Sequence, residues 1–311
     1  MDAEEVKVGD VMGKVVSLCL PTNGIIEWVF PVLDSIYRQN VDDSLFEVIV
    51  TDNGDNEQFR LMMIEYAKDK NNLIYKKTNA YMFHNQLEAL KLGSGEYLKL
   101  INHRGVFVDG ALADMISILQ RYQNEKPVIY FSNNAIKGNY ELRSFDSFVK
   151  HLGKYASWTT GVGIWKSDYD NLPADIKIDK ISPHSCILFA ERQKEKYVIN
   201  NLFFSTEIES GHAKKGTYDL FKAFGVEELS ITQNLYIDGD ISADTLKSVK
   251  NAYKRFLQDC YFNFVIKKQP CSYDLSGFDD AMGIYFNKSE IIFGAYWVGI
   301  KKAIKKIIGR K

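Results

Sequence analysis

Between residues 15 and 131, short runs of β-branched and aromatic residues alternate with longer stretches whose apolar residues recur every three or four positions. The runs fall at 15–20 (VVSLCL), 46–51 (FEVIVT), 73–75, 97–101 and 128–131, and runs this short read as strands. The helical spacing covers 26–39, 57–68, 83–92 and 110–122. Strand and helix in strict alternation predict an α/β fold, a mainly parallel sheet with helices on both faces. Pro31 falls inside the first helical stretch and predicts that this helix begins late, with the proline in its first turn. Beyond residue 133 the alternation weakens: 157–165 reads as a strand, 182–191 as a helix start with an apolar face, 209–221 as a polar loop turning helical, and the chain from 242 onward as mostly helical.

Composition removes several function classes. With 46% hydrophobic and 25% charged residues in 311, the chain can bury a large core without covalent staples. Cysteines 19, 186, 260 and 271 form no C-x-x-C pair, which predicts a reducing, cytoplasmic setting, with Cys19 a small buried residue in its apolar run. The opening MDAEEVKVGD is acidic and reads as no secretory leader, and no apolar run reaches the roughly 20 residues of a membrane span. The net charge of −1 conceals an asymmetry, since the last eleven residues, KKAIKKIIGRK, hold six of the 39 basic side chains and no acid. Nothing here reads as a nucleic-acid partner.

The motifs narrow the field further. LPTNG follows the first strand where a dinucleotide fold would carry G-x-G-x-x-G, and neither a Walker loop nor H-E-x-x-H is present. Asp52, at the carboxyl end of the second strand, can accept hydrogen bonds from a base or ribose held there, although the same residue can close an Asp-Asn-Gly turn. The stretch YLKLINHRGVFVDGAL, 97–112, reads as a buried strand, a sharp loop and a helix capped by Asp109. Its loop carries His103 and Arg104, which suit an anion and make a poor cradle for a cation.

VVSLCLPTNGIIEWVFPVLDSIYRQN followed by FEVIVTDNGDNEQF resembles the amino-terminal half of family 2 glycosyltransferases with the GT-A fold, especially the non-processive bacterial enzymes of cell-surface polysaccharide synthesis. The matching positions are Pro21 and Thr22, Gln39, then Thr51, Asp52 and Asn53, with Asn79, Asn85 and GSGEYLKLIN extending the likeness over residues 14–112. The resemblance implies a GT-A domain at 14–240, with a nucleotide-binding half at 14–132 and an acceptor half at 133–240. Residues 1–13 would be an extension, and 241–311 a helical region ending in an amphipathic basic tail at 291–311. It implies a nucleotide-sugar donor bound by Pro21, Thr22, Asp52, Asn53, Asn79, Asn85 and Asn102.

Where the family carries an Asp-X-Asp metal motif, this chain has His103, Arg104 and Gly105. Two readings stay open: Arg104, with His103, meets the donor's diphosphate directly in an enzyme needing no divalent metal, or the site is silent and the chain is a sugar-nucleotide or glycan-binding subunit. An inverting transfer needs a base for the acceptor hydroxyl. The family's acid pair is missing from IDKISPHSCILFAE, which leaves His184 as first candidate and Asp179 as second. His212, Lys214 and Lys215 are candidates for a lid over the donor. In the tail, Trp297 lies on an apolar helix face opposite Lys301, Lys302, Lys305 and Lys306, the pattern of a helix in an anionic membrane interface. The expectation is thus a peripheral enzyme on the inner face of the cell membrane, without cofactor. Its glycan acceptor, by family resemblance, is carried on a polyprenyl diphosphate.

Overall fold

The computed structural model describes residues 13–174, 176–209 and 218–308. In chain order the first part runs β1 (Val16–Thr22), α1 (Ile26–Tyr37), β2 (Phe46–Asp52), α2 (Glu57–Ala67), β3 (Leu73–Lys77), α3 (Asn85–Leu92), β4 (Tyr97–Leu100), β5 (Gly105–Phe107), α4 (Ala111–Tyr122) and β6 (Val128–Phe131). There follow β7 (Tyr140–Leu142), α5 (Phe145–Leu152), β8 (Gly163–Trp165), α6 (Lys166–Asp170), α7 (Pro183–Leu188), β9 (Tyr197–Asn200) and β10 (Ser205–Glu207). The last part is helical, with α8 (Leu220–Lys222), α9 (Glu228–Ile237), α10 (Ala243–Cys260), α11 (Phe278–Ala281) and α12 (Lys288–Ile308).

A five-stranded sheet in the order β3-β2-β1-β4-β8 forms the centre. Its first four strands are parallel, with Leu18 facing Val48 on one side and Lys99 on the other, and β8 closes the edge antiparallel to β4. Both sheet faces are covered, so the strands read as continuous apolar runs. Alternation divides their side chains: Leu18, Leu20, Val48 and Val50 share a core with Val29 and Leu33 of α1 and Met115 of α4. Cys19, Ile49, Leu98 and Leu100 face the opposite core, built with Leu90 of α3, Phe148 of α5, Leu229 of α9 and Leu257 of α10. The carboxyl-terminal helices therefore complete one face of the central sheet. Beside it, β9 joins β6 and β7 in a three-stranded sheet, and β10 pairs with β5 in an antiparallel ribbon.

Three local expectations need correction. α1 begins at Ile26 and contains Pro31, whose ring lies on the exposed side, where water can meet the carbonyl left without an amide partner. Asp109 does not cap α4: the residue before that helix is Gly110, with φ of 80°, a left-handed conformation suited to glycine. Asp109 stands out in solvent, 3.9 Å from Arg38. Residues 157–165 are strand only at Gly163–Trp165, while Gly153–Ser157 and Thr159–Gly161 form 3₁₀ turns. Fully buried Lys99 explains these turns, since its ammonium donates to the carbonyls of Thr160, Leu100 (3.0 Å) and Val162 (3.2 Å).

Candidate functional site

A cleft of about 890 Å³ opens at the carboxyl ends of β1, β2 and β4, the edge where α/β sheets bind ligands. Eight of the residues expected to hold the donor line it: Pro21, Thr22, Asn53, Asn79, Asn85, Asn102, His103 and Arg104. Asn85 is the joint of this wall. Its amide donates to the carbonyls of Thr22 (3.1 Å) and Thr51 (2.8 Å), and its oxygen accepts from the Thr78 hydroxyl (2.8 Å), so one side chain ties together the ends of β1, β2 and β3. Asn53 donates to the carbonyls of Ala80 (2.9 Å) and Met82 (3.0 Å), which holds the following loop against the strand ends. Gly54 is needed beside it because a Cβ there would fall 1.9 Å from the Asn23 carbonyl oxygen.

Asp52 does not line the cleft. Its carboxylate is buried, accepting from the Gly54 amide (2.8 Å) and the Tyr75 hydroxyl (3.1 Å), and burial pushes its pKa above the usual carboxylate range. The turn-closing alternative is thus the arrangement found.

His103 and Arg104 come together over Trp28. His103 Nδ1 lies 3.0 Å from the Thr22 hydroxyl and its ring meets Trp28 edge-on at 5.0 Å. Burial, and then the neighbouring guanidinium, lower its pKa to about 4, so at neutral pH it is an uncharged hydrogen-bonding group and brings no positive charge. Arg104 alone carries the cation of this loop. Its guanidinium sits 5.4 Å over the Trp28 ring and donates from Nη1 to the Ile208 carbonyl (2.9 Å) and from Nη2 to the Glu207 carboxylate (2.8 Å). Asn102 braces the pair, its oxygen accepting from the Arg104 amide (3.0 Å) and its nitrogen lying 3.4 Å from Glu207.

Much of the rest of the lining is aromatic, with Phe83, Tyr155, Trp158, Tyr218, Phe256 and Tyr273. Trp158 stacks edge-on against Tyr155 at 5.4 Å and remains half exposed, and the Lys154 ammonium lies 5.4 and 5.0 Å from the Tyr155 and Phe256 rings. Such a surface offers flat apolar faces beside a cation. Glu207, Trp28, Lys154 and Trp158 were not among the residues expected from the sequence: Trp28 lies within the stretch that carries the family resemblance but is not one of its matching positions, the other three stand in no motif, and only the folded chain brings them to the cleft.

Neither candidate base reaches the cleft. His184 is buried in α7, with Nε2 2.9 Å from the Ser157 carbonyl and 3.8 Å from Glu228, and burial lowers its pKa to about 4. Asp179 accepts from the backbone amides of Ile181 and Ser182, both at 2.8 Å, and so shapes the entry to α7. His212, Lys214 and Lys215 lie outside the described residues.

Among the described residues no three His, Cys, Asp or Glu side chains converge to hold a metal ion. Among the described residues lining the cleft Glu207 is the one carboxylate, and it is paired with the Arg104 guanidinium.

No protein-family model matches the sequence, and no curated protein matches it. Among solved structures, S. aureus TarS 1-349 in complex with UDP-GlcNAc overlays with a TM-score of 0.57 at 16% identity, over 87% of this chain and 80% of that one. The same protein in complex with UDP gives 0.55 at 16% identity, with the same coverage. A longer TarS structure gives 0.56 at 14% identity over 87% of this chain, which spans 48% of that one. The chain therefore shares with these structures the GT-A-like fold, a mainly parallel sheet between helices with a helical carboxyl-terminal region.

Proposed function

We propose that this chain is an inverting glycosyltransferase that moves a sugar from a nucleotide-sugar donor to a glycan acceptor without a divalent metal. The observation that carries the reading is Arg104. Its guanidinium lies in the loop between β4 and β5 and lines the cleft, where it would supply the counter-charge that a donor's diphosphate needs. Fold likeness to a protein crystallised with UDP-GlcNAc supports the donor class. The base and ribose would lie along Pro21, Thr22, Asn53 and Asn79, and the acceptor against the aromatic wall of Tyr155, Trp158 and Phe256. Those rings suit the apolar faces of pyranose units.

In the transfer, the acceptor hydroxyl loses its proton and its oxygen attacks the anomeric carbon. The bond from that carbon to the diphosphate breaks, its electron pair leaving with the nucleoside diphosphate. Arg104 is placed to stabilise the charge that grows on the leaving group. We further propose that the acceptor is a polyprenyl-diphosphate-linked glycan of bacterial surface polysaccharide synthesis, and that α12 holds the enzyme at the anionic inner face of the membrane. None of the described helices is long and apolar enough to cross a bilayer, whereas α12 exposes Phe293, Tyr296 and Trp297 beside Lys301, Lys302, Lys305 and Lys306.

The test is nucleotide release from uridine, guanosine, thymidine and cytidine sugar donors, with a lipid-linked glycan extract and excess chelator. Turnover that persists in chelator is the expected result. Turnover that appears only when Mg²⁺ or Mn²⁺ is restored would overturn the metal-free mechanism, and donor binding without turnover in either condition would favour a binding subunit.

A further inference from the structure

The guanidinium assigned to the diphosphate is not waiting empty. Arg104 is largely buried, its side chain about 10% exposed, and the Glu207 carboxylate holds its Nη2 at 2.8 Å. A carboxylate on a guanidinium is the nearest protein equivalent of a phosphate oxygen, because both offer an anionic oxygen to the same N–H fork. The Glu207 side chain is 55% exposed, and besides Arg104 it meets only the Asn102 amide nitrogen among the described residues, at a long 3.4 Å. Its backbone is held, since β10 pairs Glu207 with Gly105 and the Ile208 amide donates to the Arg104 carbonyl at 2.9 Å. Glu207 can thus leave Arg104 by side-chain rotation alone, without opening the ribbon. It is also the only acidic residue among the described residues lining the cleft.

We infer that Glu207 is a placeholder for the donor's diphosphate and becomes the catalytic base once displaced. When the donor seats, the diphosphate takes the Arg104 fork and the carboxylate swings into the cleft. There Glu207 accepts the proton of the acceptor hydroxyl as that oxygen bonds to the anomeric carbon; the nucleoside diphosphate departs with the electron pair of the broken bond, and the proton passes from Glu207 to water afterwards. Before donor binding the same carboxylate is neutralised by Arg104, so the base is released only when there is a sugar to transfer. An ordered reaction follows, donor first. This inference rests on the function proposed above.

The deciding experiment compares the wild type with Glu207→Gln and Glu207→Asp, titrating UDP, GDP, dTDP and CDP by calorimetry and measuring transfer with the donor that the panel identifies. Glu207→Gln is expected to bind the preferred diphosphate several-fold more tightly, because its rival for Arg104 has lost its charge, while kcat falls by about 10²- to 10⁴-fold, the span of a general base. Glu207→Asp is expected to keep a measurable part of the rate. A merely structural ion pair predicts the reverse for Glu207→Gln, namely a lower melting temperature with weaker diphosphate binding. Unchanged or weaker binding by a normally melting Glu207→Gln overturns the exchange, and an unchanged kcat overturns the base. If the wild type binds none of the four diphosphates, the fault lies in the donor assignment itself.

Discussion

At the scale of single residues, one wall of the cleft was legible because its residues, picked out by the family resemblance, stand at or just beyond strand ends, where position in sequence nearly fixes position in space. Asn85 shows what that wall depends on, with three buried hydrogen bonds that tie the ends of β1, β2 and β3. Replacing it by alanine leaves the Thr22 and Thr51 carbonyls and the Thr78 hydroxyl without this partner, and is expected to cost about 2–3 kcal/mol in a urea unfolding titration. A loss below about 0.5 kcal/mol would show that the strand ends hold together without it. Asp52 illustrates the limit of such reading: its place at the end of β2 was right, but the Gly54 amide and Tyr75 take up the carboxylate. His184 stays out of the cleft for a related reason, since it sits in a helix start as its Ser-Pro-His context predicts but its side chain turns inward to Ser157 and Glu228.

At the scale of elements, α12 is the clearest case. Its first turns are anchored by Ile291 and Ala295, both fully buried, whereas every residue from 300 to 306 is exposed on all sides of the helix. The apolar stripe seen in the sequence is therefore not the inner face of a helix packed along the body. Phe293 (73% exposed) and Trp297 (57%) continue the stripe outward. Removing the chain after Gly299, which spares the buried Ile291 and Ala295, is expected to weaken cosedimentation with phosphatidylglycerol vesicles, and Phe293→Ser with Trp297→Ser to weaken it at least tenfold, with nucleotide binding retained. Cosedimentation unaffected by the truncation would remove the tail as the membrane contact. The two proline and glycine corrections belong to this scale too. Pro31 is tolerated because it faces water, and Gly110 begins α4 through a backbone conformation that Asp109 could not replace.

At the scale of the whole molecule, the second half and the carboxyl-terminal helices close the core behind the cleft, and they bury titratable groups in doing so. Glu228 of α9 is enclosed with Ser185 (3.1 Å), Tyr253 (3.4 Å) and His184 (3.8 Å). Burial raises its pKa to about 7, with Asp179 adding to the shift and hydrogen bonds from Ser182, Ser185 and Tyr253 opposing it. Because the folded value exceeds that of a free carboxyl, its contribution to stability is present below about pH 4.5 and is lost as pH rises through 7. His184 and His103 have the opposite sign. Their folded values near 4 lie below the ordinary 6.5, so the stability they confer is full above 6.5 and is lost as pH falls towards 4. Glu228→Gln keeps an oxygen for the Ser185 and Tyr253 hydroxyls and removes the charge. It is expected to raise the melting temperature at pH 8 and to change it little at pH 5. An equal shift at both values would mean that Glu228 is not protonated by burial.

What the sequence by itself determined is the four parallel strands of the central sheet, the succession of strands and helices along the first half of the chain, and the residues at the carboxyl ends of β1, β2 and β4; it did not show that β6 leaves that sheet to pair with β9. The features it determined follow from periodicity and from short-range turns, which are local properties of the chain. What only the tertiary structure decided is the chemistry of the cleft. Arg104 and Glu207 are 103 residues apart and meet because β10 folds back on β5; Lys99 reaches across 61 residues to the turns that carry Trp158 to the mouth. Whether a charged side chain is a free reagent or a paired one depends on its neighbours in space and on its burial, and a one-dimensional pattern holds neither.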